Sequence, residues 1–126
     1  MLIYKEFKLP IYASNVVFVY GTTYKEIVDF CKKNDIDETI IKDCEKGYQG
    51  ISFCVEDDKE EFYTYVIVKK HKDKYEEIDT ITHEVTHVVF NILEYKDIKF
   101  DNNNSEPYAY LTGYLNKEFF KFRDGR

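Results

Sequence analysis

Three observations predict an α+β fold for this chain. A β-branched and aromatic run occupies Val16 to Tyr20, a pair of strand-like runs flanks a short polar connection between residues 50 and 70, and two helix-length amphipathic segments fill the second half. With 126 residues, the chain suits one domain, expected to span residues 1–126 around a single core. Twelve Tyr and ten Phe make that core rich in aromatics.

The Val16 to Tyr20 run closes at Gly21, as a buried strand does. The segment "TTYKEIVDFCKKND" follows as a helix. Thr23 and Glu26 fit a capping box there, and Ile27, Phe30 and Cys31 share a face. "GISFCVE" and "EFYTYVIVKK", joined by "DDKE", read as a β-hairpin. In "YEEIDTITHEVTHVVFNILEY" the apolar residues Ile78, Ile81, Val85, Val88, Val89, Ile92 and Leu93 recur at helical spacing. Glu76, Glu77 and Asp79 suit the positive end of its dipole. "DNNNSEP" reads as a loop, and the last helix covers "SEPYAYLTGYLNKEFFKF", with Ser105 as N-cap and Pro107 in the first turn. The expected order is β, α, β, β, α, α.

A formal net charge of -6 argues against nucleic acid or an anionic membrane as the main partner, since neither is drawn to an acidic surface. The charged residues Lys5, Glu6 and Lys8 interrupt any leader-like apolar stretch, and no run approaches the roughly 18 apolar residues of a membrane span. A cytoplasmic location is expected. Cys31, Cys44 and Cys54 form no C-x-x-C pair, so they are expected to be reduced and structural, without a thiolate zinc site.

The stretch "TITHEVTHVVFNIL" carries the chemistry. On a helix, His83 and His87 lie one turn and about 40° apart with Glu84 beside them, away from the stripe of Ile81, Val85, Val88 and Ile92. Two imidazoles so placed can bind one zinc ion, and the glutamate between them can take a proton from metal-bound water. This is the H-E-x-x-H motif. A catalytic zinc needs a third protein ligand. Glu106, at the start of the last helix, is the leading candidate, with Ala109, Tyr110 and Gly113 on its face to admit a close helix approach. His71, in a Lys-rich connector, reads as an exposed loop residue, and Asp97 and Asp101 lie in a loop with no helix to fix them.

"HEVTH", eighteen intervening residues and Glu106 together resemble the gluzincin branch of the zincin metallopeptidases, over roughly residues 61 to 122. The resemblance implies a minimal zincin-like domain: a small mixed or antiparallel sheet packed against the motif helix and a helix bearing the Glu ligand. It implies Zn2+ on His83, His87 and Glu106, Glu84 as general base, and a peptide or protein substrate held along an edge strand. Tyr108, Tyr110 or Tyr114 could donate to the oxyanion. The chain also resembles short zincin-like domains encoded by bacteriophages. It departs from the family at Tyr110, where many gluzincins carry an Asp that orients a histidine. That departure, the short chain and the many aromatics support an alternative expectation: a non-catalytic zincin-fold module with a protein assembly partner, such as a component of a phage particle in the virion.

Overall fold

The structure, a computed structural model, describes residues 1–125. It has an α+β fold in which four helices pack against a four-stranded mixed sheet. The strands are β1 (Ile3–Leu9), β2 (Ser14–Gly21), β3 (Gly50–Glu56) and β4 (Phe62–Lys69). The helices are α1 (Tyr24–Lys33), α2 (Glu38–Glu45), α3 (Lys74–Tyr95) and α4 (Glu106–Arg123). Strand order is β1-β2-β4-β3, with β2 and β4 parallel at the centre and both outer strands antiparallel to their neighbours.

The central strands explain the layering. Every residue of β2 is buried, which requires cover on both faces. Val16, Phe18, Tyr20, Val66 and Val68 face the α3–α4 layer, where they meet Ile81, Val85, Val88, Leu115 and Phe119. Val17, Val19 and Ile67 face α1 and α2, against Ile27, Cys31, Ile41 and Cys44. The period-two alternation of each strand thus divides its side chains between two cores.

Two elements go beyond the sequence expectation. Strand β1 pairs with β2 over seven residues from Ile3↔Tyr20 to Leu9↔Ser14. Lys5, Glu6 and Lys8 sit on an edge strand, where charge blunts edge-to-edge pairing. Helix α2 has only eight residues, too few for periodicity to speak, and it starts where the Asp37 carboxylate accepts from the Thr39 amide at 2.8 Å. The hairpin of β3 and β4 and the Thr23–Glu26 capping box form as expected. Ser105 makes no side-chain cap, whereas Asp73 caps α3 by accepting from the amides of Tyr75 and Glu76. Cys31 and Cys44 are buried free thiols. The Cys44 contact and burial together hold the Cys31 thiol far above its ordinary range, which leaves it protonated and inert. Cys54 is exposed, so the structural role expected of all three thiols applies to two.

Glu77, expected in the acidic first turn of α3 for its helix dipole, is buried. Its Oε1 accepts from the Tyr20 hydroxyl at 2.7 Å and the His71 amide at 2.9 Å, and its Oε2 accepts from Arg123 Nη1 at 3.1 Å. One carboxylate thereby joins β2, the β4–α3 connection and the end of α4. Burial, then the Glu77 carboxylate, pushes the Tyr20 phenol well up from its ordinary range, so it remains a donor.

Helix α4 packs through Tyr108, Leu111, Leu115, Phe119 and Phe122. Ala109, Tyr110 and Gly113 face solvent, and a Cβ added at Gly113 would meet nothing within 4 Å. The small residues therefore serve no close helix approach. The wider, aromatic face holds the larger apolar area, and it is the one the sheet takes.

Leu115→Ala is expected to cost about 2–5 kcal/mol in urea unfolding, while Gly113→Ala is expected to stabilise by about 0.5–1 kcal/mol. The reverse order would place the other face of α4 inward. Glu77→Ala, which leaves Arg123 and Tyr20 without their acceptor, is expected to cost about 3 kcal/mol by the same measurement.

Candidate metal centre

Helix α3 crosses the sheet so that its aliphatic stripe covers β2 and β4, and its flank passes over edge strand β3. Pairing fixes what that flank meets. Gly50 lies opposite Val68 and Ser52 opposite Val66, so both point to the α3 side of the sheet. A Cβ at Gly50 would stand 2.4 Å from Thr80 Cγ2, closer than real Cβ atoms come, and a tight 3.1 Å from Glu84 Cγ, so glycine lets the strand run under the helix without displacing these side chains. Ser52 Oγ donates to Glu84 Oε1 at 2.8 Å.

His83 and His87 project from the adjoining exposed face of α3. Their Nε2 atoms stand 3.2 Å apart, with the rings at 81° to each other. Glu84 does not share this exposure: it is 9% accessible, lying between the imidazole pair and β3. The three motif residues therefore straddle the rim of a shallow cleft of about 340 Å³, with Asp43 and Tyr48 on its far wall and Ser52 on its floor. A second shallow depression of about 270 Å³ lies on the other side of the pair, against Asp79, Thr82 and Thr86.

The loop carrying Tyr48 is anchored. Gly47 adopts φ 90°, a left-handed conformation that suits glycine, and its carbonyl accepts from the Tyr24 hydroxyl at 2.7 Å. The Lys69 amide donates to Gln49 O at 2.8 Å, which ties the next residue to the end of β4.

The other expected site residues lie elsewhere. Glu106 is exposed on the outward face of α4, with Ala109, Tyr110 and Gly113. It is not gathered with the imidazoles: among the described residues, no group of three or more His, Cys, Asp or Glu side chains is arranged to hold a metal ion. Two nitrogens converging on one point are donors that zinc accepts, so His83 and His87 fit that ion, while a third protein donor is not assembled beside them. Tyr108 is buried and donates to Ile98 O at 2.6 Å, pinning the α3–α4 connection. Tyr110 and Tyr114 line a separate apolar cleft of about 320 Å³ with Leu9, Pro10 and Ile11. That cleft is nowhere near the motif, so the three expected oxyanion donors are not brought to the imidazole pair. Asp101 accepts from the Asn103 amide within its own loop, and Asp97 is a left-handed residue just beyond α3.

His71, expected in an exposed loop, is buried. Its Nδ1 lies 2.6 Å from Lys69 O and its Nε2 lies 2.8 Å from Thr80 Oγ1. A carbonyl only accepts, so Nδ1 carries a proton, and both ring nitrogens are engaged.

Sequence reasoning missed Gly50, Ser52 and Tyr48. The signal was present for two of them. In "GISFCVE" one face reads Gly50, Ser52, Cys54 and the other Ile51, Phe53, Val55, so the small face marks where something bulky lies close. Comparisons with protein-family models, with curated proteins and with solved structures find no match to this chain.

Tyr108→Phe is expected to lower stability by about 1 kcal/mol through loss of the Ile98 contact. Tyr110→Phe should stay within about 0.5 kcal/mol, as surface changes do. Denaturant midpoints of the two variants check this.

Proposed function

We propose that this chain is a zinc-dependent hydrolase of peptide bonds, with a minimal zincin-like fold. The observation that carries this reading is the 3.2 Å approach of His83 Nε2 to His87 Nε2 beside a nearly buried Glu84. Two exposed imidazoles converging on one point, next to a carboxylate withdrawn from bulk water, meet the needs of metal-assisted hydrolysis better than those of a solvated surface. Strand β3 supports the reading further. It is an edge strand, antiparallel to β4, and lies beside the motif helix, where an extended peptide could add to the sheet.

His83 and His87 would hold the zinc, while Glu106, the third ligand that the H-E-x-x-H resemblance implies, is not gathered with them in this fold. Zinc held there would supply Lewis-acid activation of a water and of a carbonyl. Glu84 would take a proton from the attacking water and return it to the departing amine nitrogen. Its low exposure suits the task, because a carboxylate shielded from bulk solvent has fewer competing partners for that proton.

A second reading, a non-catalytic module with a protein partner, is favoured by one observation: Glu106 sits on the outward face of α4, away from the imidazoles. In that reading the fold, and any metal on the two histidines, serve stability or assembly.

Zinc titration and peptide hydrolysis separate the two. The peptidase reading expects one zinc per chain, with affinity lost in His83→Ala and His87→Ala. It also expects Glu84→Gln to keep zinc while hydrolysis falls about 10²–10⁴-fold. Zinc bound through His83 and His87 with no hydrolysis by wild type would favour the module.

A further inference from the structure

We infer that Ser52 is a positioning residue for Glu84. Its hydroxyl fixes the carboxylate so that Oε2, and not Oε1, is the oxygen that handles the proton. The inference rests on the peptidase reading above and adds to it a residue outside the H-E-x-x-H motif.

Three observations carry it. The Ser52 hydroxyl donates to Oε1 at 2.8 Å, and among the described residues it is the donor that Glu84 has. Oε2 accepts no hydrogen bond among those residues and is not a fully buried unpartnered atom, so it is the oxygen left free to take a proton. Gly50 brings the strand against the same side chain, since a Cβ there would press on Glu84 Cγ at 3.1 Å and Oε2 at 3.4 Å.

The physical reason follows from carboxylate geometry. The terminal torsion of Glu is broad and nearly two-fold, so an unheld carboxylate samples many orientations. A donor on one oxygen removes that freedom. Ser52 is itself fixed by the ladder, opposite Val66 in the hydrogen-bonded register of β3 and β4. The carboxylate is thereby oriented by the sheet, independently of the helix that carries it. When water adds to the carbonyl carbon, its proton goes to Oε2. As the C–N bond breaks, that proton goes on to the amine nitrogen, and Oε1 remains bound to the hydroxyl throughout.

Hydrolysis of a peptide library by the zinc-loaded full chain, compared among wild type, Ser52→Ala and Ser52→Thr, tests this. Ser52→Ala is expected to lower kcat about 10–100-fold, with KM and zinc content within about twofold of wild type. Ser52→Thr, which keeps the hydroxyl, should recover most of the rate. Thermal unfolding of the metal-free protein gives a second readout: Ser52→Ala should lower Tm in the wild-type background and lower it less in a Glu84→Ala background, as direct coupling requires. A kcat for Ser52→Ala within about threefold of wild type, or equal Tm shifts in the two backgrounds, overturns the assignment and leaves the peptidase reading standing. A zinc-loaded wild type that cleaves no peptide overturns both.

Discussion

The burial of α3 against the sheet is the interaction on which the rest depends. Ile81, Val85, Val88, Val89, Ile92 and Leu93 are all inaccessible, and they meet the faces of β2 and β4 that carry Val16, Phe18, Val66 and Val68. At about 25 cal/mol per Å² of apolar surface removed from water, each such side chain contributes about 1.5–3 kcal/mol. This seam therefore outweighs any single polar contact in the molecule. It fixes the rotation of α3 about its axis, and that rotation decides what every remaining residue of the helix faces. His83 and His87 fall to solvent, Glu84 to the edge strand, and Glu77 to a buried junction with Tyr20 and Arg123.

The same constraint gives the two polar flanks of α3 different characters. On the β3 side the helix runs close enough that a side chain at Gly50 would press on Thr80 and Glu84, and Ser52 holds Glu84 while Thr80 meets His71. On the outer side, among the described residues, the imidazoles share a hydrogen-bond contact with each other. A carboxylate kept from water but given a single donor stays oriented at little cost, whereas an exposed pair of nitrogens keeps its lone pairs available. Shielding for one group and access for two others come from one helix placed at the rim of a sheet.

Most elements could be read from the sequence because their signals are local. The hairpin of β3 and β4, the capping box of α1 and the stripe of α3 each lie within one segment, and the structure keeps them except that Ile78, expected in the stripe, is exposed. What escaped was short or ambiguous. Strand β1 carries charges that obscure its alternation, and α2 has a single buried pair, Ile41 and Cys44. The reading of α4 failed for a different reason. Its sequence offers two plausible faces, a small one at Ala109 and Gly113 and a large aromatic one, and only the shape of the sheet below chooses between them.

By itself, the sequence determined the α+β class and the spacing of two imidazoles with a carboxylate between them, because a helical period makes such neighbours unavoidable. Only the tertiary structure decided which groups that site meets. It brought Ser52 and Gly50 under Glu84, set Tyr48 and Asp43 across the cleft, buried His71, and turned Glu106 outward. The reason is physical: contacts within a helix follow from its repeat, but contacts between elements follow from how two apolar surfaces fit, which depends on every side chain in both.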